Sequence, residues 1–152
     1  MTSGWAKPST LAKAEGLEVS FTEEDLGDVH PNSVELRIEG PSGALQVCAS
    51  SVGGGAIRIW RIDGFDVELG GTYPTILFVY PDRPGAVAVV SSVLAHGAIN
   101  IAAIKAHRTV RGGLALMEVQ LDEAPTPQLL EALKQLPNFQ QVRFVPSLEG
   151  GR

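Results

Sequence analysis

Eight consecutive residues, Tyr73 to Tyr80 (YPTILFVY), carry no charge and are nearly all apolar or β-branched. Such a run suits a central strand. Beyond Tyr80 the chain alternates between helix and strand signals. Ala86 to His96 places Val87, Val90 and Leu94 on one helical stripe with Val89 and Val93 beside it, and Gly97 marks its C′ stop. Ile99 to Thr109 predicts a strand, Arg111-Gly112-Gly113 a turn, and Leu114 to Leu121 the next strand. Thr126-Pro127 is a cap followed by proline at the first helical position, and Leu129, Leu130, Leu133 and Leu136 form the second apolar helix face. Phe139 to Val145 is the last strand. Two helices in this order must cover one face of an antiparallel sheet.

The first half has a different rhythm. Ser9 is placed to cap a short helix, Thr10 to Glu15, stopped by Gly16, and Leu17 to Thr22 predicts a short strand. Glu23 to Asn32 is polar and broken by Gly27 and Pro31, so it is a loop. Val34 to Glu39 alternates Val34, Leu36 and Ile38 against Glu35, Arg37 and Glu39, the period of a half-buried strand. Gly40-Pro41-Ser42-Gly43 turns the chain back into Ala44 to Ser50. Asp63-Gly64, between Ile57–Ile62 and Phe65–Leu69, is a strong hairpin signal. Gly70-Gly71 separates the halves.

Composition removes several function classes. Seventeen acidic against twelve basic residues give a net charge of −5, which provides no bulk attraction for nucleic acid or an anionic membrane. No apolar run approaches the roughly 20 residues of a spanning helix, and Met1 to Thr10 has no signal-peptide pattern. A soluble, cytoplasmic protein is expected. The single cysteine, Cys48, excludes an internal disulfide and any site built from several thiolates of this chain. His96 and His107 read as structural or solvated, and Trp5 and Trp60 receive no role.

Asp82-Arg83-Pro84-Gly85 lies where the first strand of the second half meets its helix. Free N–H groups and the positive dipole end of that helix favour a carboxylate there. Gly85 permits close approach. Asp82 caps the helix or receives an ammonium, and Asn100 offers both a donor and an acceptor. Together these groups match a zwitterion. Spacing alone favours the plainer roles, Asp82 as N-cap and Asn100 as turn residue. In the first half, Gly53-Gly54-Gly55 is a run of bare amides able to form an anion-binding nest, and it reads equally as a tight bend. Ser50 and Ser51 add hydroxyls, while His30 and Asn32 flank Pro31.

Tyr73-Pro74-Thr75-Ile76-Leu77, Asp82-Arg83-Pro84-Gly85, Gly97-Ala98-Ile99-Asn100-Ile101-Ala102 and Arg111-Gly112-Gly113-Leu114-Ala115-Leu116-Met117 together resemble the ACT family. The resemblance implies a domain that senses an amino acid. In the ACT domain of phosphoglycerate dehydrogenase, serine is held between two subunits by three polar side chains. The matching positions here are Tyr80, Asp82 and Asn100. Tyr80 and Asp82 differ in type from that enzyme, and Asn100 carries over unchanged.

Upstream, Leu26-Gly27-Asp28-Val29-His30-Pro31-Asn32-Ser33, Ser50-Ser51-Val52-Gly53-Gly54-Gly55-Ala56-Ile57 and Asp63-Gly64-Phe65 resemble the β chain of iron–sulfur-dependent L-serine dehydratase. Together the resemblances imply an α+β fold. Residues 1–70 would be a truncated, mainly antiparallel α/β domain of the allosteric substrate-binding type, and residues 73–148 a βαββαβ, ferredoxin-like ACT domain. They imply ligand positions Tyr80, Asp82, Arg83, Gly85 and Asn100 in the second half. In the first they are His30, Asn32, Ser50, Ser51, Gly53, Gly54 and Gly55, for carboxylate binding or subunit contact. The implied partners are L-serine or another amino acid, an α chain carrying a 4Fe-4S cluster, and a second copy joined through the ACT half. This chain itself would hold no cofactor and no catalytic residue. The family's upstream Ser-Ser-Ser-His-Thr segment is absent, so a truncated or split subunit, inactive alone, is expected. The alternative is a stand-alone amino-acid-binding regulator. An RNA-binding βαββαβ domain fails on charge and on the lack of an aromatic residue in Leu114 to Leu121.

Overall fold

The computed structural model describes residues 12–41 and 43–148. Strands β1 (Ser33–Gly40), β2 (Gly43–Gly53), β3 (Ala56–Ile62) and β4 (Phe65–Leu69) form an antiparallel meander in the order β1-β2-β3-β4. The second half runs β5 (Thr75–Pro81), α1 (Ala86–His96), β6 (Ile101–Arg108), β7 (Leu114–Leu121), α2 (Pro127–Lys134), β8 (Gln141–Val145), and its sheet has the order β6-β7-β5-β8. The expected α+β class, with a βαββαβ second half, is what the chain forms. No helix among the described residues is long and apolar enough to cross a membrane.

Strand β5 lies between β7 and β8, and its two faces serve two cores. Ile76, Phe78 and Tyr80 point towards the helices, where they pack with Val90 and Leu94 of α1, Leu133 of α2, and Ala115, Met117, Val119 and Leu121 of β7. Leu77, with Leu116 of β7, points the other way and is buried against Ile62, Phe65, Val67 and Leu69 of the first sheet. Each such fully buried side chain contributes roughly 1.5–3 kcal/mol, so this seam holds the two sheets face to face. Asp63 pins its rim. Its carboxylate accepts from the Gln46 amide (2.8 Å) and from Arg143 (3.3 Å), and Arg143 also donates to the Ala44 carbonyl (2.9 Å). Asp63 and Gly64 both take positive φ, 48° and 82°, as the predicted two-residue hairpin requires.

The structure corrects several expectations. Leu17 to Thr22 forms no strand: its alternating Leu17, Val19 and Phe21 are exposed and have no ladder partner among the described residues. The turn Ala12–Ala14 is helical and Gly16 (φ 75°) ends it, but Ser9 and Thr10, like Trp5, lie outside the described residues. The stripe of α1 is narrower than predicted, since Val90 and Leu94 are fully buried while Val87 and Val89 remain 43% and 42% exposed. They sit in the first turn, beyond the edge of the helix–sheet core. The N-cap of α1 is Gly85 (φ 99°), not Asp82. Gly97 is not the left-handed stop either, because its φ is −78° and the positive φ (56°) falls on Ala98. A Cβ at Gly97 would lie 2.6 Å from a methyl of Leu129, so glycine is demanded here by the approach of α2.

This packing generates two predictions. Gly97→Ala should destabilise the fold by about 1–3 kcal/mol through overpacking, and it should cost less when added to Leu129→Ala, which itself removes core packing, than when added to the wild type. Urea denaturation of the three variants checks this. In the seam, Glu118 is 1% exposed, accepts from Gln120, and has its other oxygen 3.4 Å from His107 Nε2. That oxygen and His107 Nε2 are both buried and make no hydrogen bond among the described residues, so Glu118→Gln, which removes the charge while keeping the Gln120 contact, should cost little or even stabilise, within about 1 kcal/mol of wild type. Glu118→Leu, which also strands Gln120, should cost more than Glu118→Gln, and adding His107→Leu to it should cost less than the two single changes summed. Thermal melts of single and double variants would show the non-additivity.

Candidate functional site

The loop Pro81–Gly85 turns the chain from the end of β5 into α1, and beside it the β6–β7 turn brings Arg108, Arg111 and Gly112. Between them is a cavity of about 560 Å³, lined by Tyr80, Asp82, Arg83, Gly85, Arg108 and Arg111 among others. Arg83, Gly85, Arg108 and Arg111 are exposed, so the cavity is open to solvent, while Tyr80 forms its buried wall, its ring centroid 5.7 Å from that of Phe139 at a tilt of 53°.

Four of the five residues expected to bind a ligand in this half therefore meet: Tyr80, Asp82, Arg83 and Gly85. Asn100 does not join them within one chain. It precedes β6 at the Leu121 and Thr75 end of the sheet, whereas Asp82 follows β5 at the Leu114 end. A strand of this length separates the two ends by roughly 20 Å. There Asn100 donates to the Asp122 carboxylate (2.6 Å). Arg108, Arg111 and Asp122 escaped the sequence reading. They are distant in sequence from the Asp-Arg-Pro-Gly motif, and only the pairing of β6 with β7 places them.

The electrostatics of the cavity are positive in an acidic chain. Three arginines face one aspartate, and that aspartate is engaged: Asp82 accepts from the Gly112 amide (3.0 Å) and from Arg108 (3.3 Å). The Gly112 hydrogen bond, then Arg108, hold its carboxyl below the usual range against the opposing effect of burial. Asp82 thus ties the two loops together rather than standing ready for an ammonium. Burial and then the Asp82 charge push the Tyr80 hydroxyl up, with Arg108 opposing, so it stays protonated at neutral pH. Arg83 and Arg111 form no ion pair among the described residues. No side chain caps α1, so the first-turn amides, including those of the lining residues Ala86 and Val87, are left for water or a ligand.

The first-half residues gather at one end of the first sheet. Ser33 and Ser50 are ladder partners with hydroxyls 2.8 Å apart, and Trp60 Nε1 donates to Ser50 (3.1 Å). The Ser51 amide donates to the Asn32 carbonyl (2.9 Å), the Asn32 amide donates to His30 Nδ1 (3.2 Å), and Ser33 donates to the His30 carbonyl. These contacts anchor the His30–Asn32 loop to β2. Gly54 and Gly55, φ 62° and 80°, form the two-residue turn between β2 and β3, and Gly53 (φ 95°) ends β2. A Cβ at any of the three would meet open space, so the glycines serve the backbone conformation and leave an exposed hairpin tip. Ser33 and Trp60 complete this cluster and were not singled out from sequence.

Residues 74–138 match the ACT domain. The chain is 38% identical over 132 residues to a probable L-serine dehydratase beta chain of Bacillus subtilis (strain 168), covering 87% of this chain and 60% of that protein. It is 36% identical over 137 residues to the L-serine dehydratase beta chain of Peptoniphilus asaccharolyticus, covering 89% and 62%. A D-3-phosphoglycerate dehydrogenase of B. subtilis is 25% identical over 138 residues, 89% of this chain and 26% of that enzyme. The chain thus spans about 60% of the length of the dehydratase chains it matches.

The tie between Asp82 and the β6–β7 turn has a pH signature. Because the folded pKa lies below the unfolded value, its stabilisation is present above the ordinary carboxylate range and is lost as pH falls through the folded pKa. The Asp82 carboxyl should titrate below about 3.9, with the Gly112 amide resonance moving in step. Asp82→Asn should abolish that titration and its pH-dependent shift. Carbon-detected NMR across acid pH would read both.

Proposed function

We propose that this chain, which carries an ACT domain over residues 74–138 and is related to L-serine dehydratase beta chains, is the amino-acid-binding regulatory part of such an enzyme. The observation that carries the reading is the cavity at the start of α1. Its uncapped amides, Arg83 and Arg111 offer a carboxylate several donors at once. The alignment supports regulation over chemistry. A dehydratase chain and a dehydrogenase match this chain over nearly the same 87–89% of its length. A unit common to two different reactions is better suited to binding than to catalysing either.

On this reading L-serine, or an amino acid of similar size, places its carboxylate among the arginines. Its ammonium needs an acceptor that one chain does not bring there, since Asp82 is already engaged. A homodimer through the ACT half would supply it from the Asn100–Asp122 pair of the second copy. The His30 loop and the glycine hairpin are assigned to contact with an α chain. That chain would also carry any 4Fe-4S cluster, which this one does not fit: its single cysteine, Cys48, is buried with its sulfur towards Glu35. The chain alone is assigned no dehydratase activity. A stand-alone regulator would use the same cavity without an α partner.

Calorimetric titration with L-serine, with D-serine, glycine and acetate as controls, tests the reading. Stereoselective binding should be lost in Arg111→Ala and in Asn100→Ala. An equimolar mixture of those two variants should regain about a quarter of the sites by random pairing of subunits. Binding untouched by Arg111→Ala would remove the cavity from consideration, and no heat at millimolar amino acid would sink amino-acid sensing by this chain.

A further inference from the structure

Among the described residues, β1 is the outer strand of the first sheet, with its far edge unpaired. Val34, Leu36 and Ile38 lie opposite Ala49, Val47 and Leu45, on the face of the sheet whose Leu45 packs into the seam. Yet they are 46%, 45% and 50% exposed. The apolar face of the first sheet therefore runs on past the surface that the second sheet covers. An unpaired edge beside an apolar strip is a template for another strand.

We propose that this edge pairs with β1 of a second copy of the chain, antiparallel, about a two-fold axis through Leu36. The sequence of the strand selects both the partner and the register. Apolar faces stay on one side of a continuous sheet only if odd positions meet odd and even meet even. Centring on Leu36 sets Leu36 against Leu36 on the axis and, twice each by symmetry, Val34 against Ile38 and Glu35 against Arg37, over the span Ser33–Glu39. Centring on Glu35 or Arg37 sets like charges against each other, which destabilises. Centring on Ile38 leaves only Leu36 to Gly40 in overlap. A foreign strand has no need of a pattern complementary to its own reverse, whereas a self-pairing strand does. Within one chain Arg37 already bridges to Glu35 at 2.7 Å, but Arg37 is 71% exposed and such a pair is easily exchanged for its cross-strand equivalent.

This contact is separate from any dimer made through the second sheet, and a cysteine at the two-fold reads it directly. Opposite residues of an antiparallel pair have Cα atoms about 4.5–5.5 Å apart, within disulfide reach of about 4.4–6.8 Å. Cys48 is 3% exposed and stays out of the reaction. Under mild oxidation Leu36→Cys should form a disulfide-linked dimer. Val34→Cys and Ile38→Cys should not do so alone, but should cross-link when mixed. Sedimentation should show Glu35→Lys and Arg37→Glu each weakening this association by about tenfold, with the double variant Glu35→Lys/Arg37→Glu restoring it. Circular dichroism would confirm that these surface variants stay folded. No cross-link in Leu36→Cys, a cross-link in Ile38→Cys alone, or charge reversals without effect would each overturn the proposal.

Discussion

The packing of one sheet on the other is the contact on which the rest of the molecule depends. A four-stranded sheet with two helices on one face still has a second face to bury, and here Leu77 and Leu116 bury it against Ile62, Phe65, Val67 and Leu69. Without that layer the central strand would expose half of its apolar side chains. The ion pairs on the surface, such as Arg58 with Glu68 and Lys134 with Glu131, contribute at most about 1 kcal/mol each. The seam contributes more per residue, and its apolar contacts are not screened by salt. It also fixes the cavity, because Tyr80 sits at the end of the same strand whose Leu77 is held from behind.

The seam is not wholly apolar. Glu118 lies in it on β7, directly opposite Lys105 in the ladder, with His107 and Gln120 as its near neighbours. A carboxylate taken out of water is tolerable only with partners. The hydrogen-bonding partner of Glu118 is Gln120 of β7, while its second oxygen faces His107 of β6, and neither that oxygen nor His107 Nε2 makes a hydrogen bond among the described residues. The Asp63–Arg143 pair at the rim joins the β3–β4 hairpin of one sheet to β8 of the other.

What was legible from the residues was what local chemistry decides. The bounds of β7 and β4 fall where alternation and the Asp63-Gly64 turn place them, and Thr126 caps α2 ahead of Pro127 as its position foretells. What was not legible depends on contacts between distant segments. Leu17 to Thr22 has the alternation of a strand but finds no ladder among the described residues. The free choice offered to Asp82, cap or ligand acceptor, is settled by Gly112 and Arg108, some thirty residues on. Gly97 looked like a helix stop, and its reason lies in Leu129 on the other helix. Half of the cavity was readable as a helix start after an Arg-Pro-Gly turn. The arginines of the opposite wall were not, because nothing local to them signals an anion.

Strand β6 connects the proposed ligand to the proposed assembly. It ends in Arg108, which Asp82 already shares, and it is preceded by Asn100, which holds Asp122. Among the described residues it is also an edge of the second sheet, open to pairing. On the proposed function, a carboxylate arriving at the arginines would compete with Asp82 for Arg108 and so load the β6–β7 turn, and a second copy docked along this half would bring Asn100 to the ammonium. Each event would then strengthen the other by the same factor, since coupling between two equilibria is reciprocal. A regulatory site of this kind needs no moving domain. It needs a charged residue held by one loop and wanted by a ligand, on a strand whose free edge meets its neighbour.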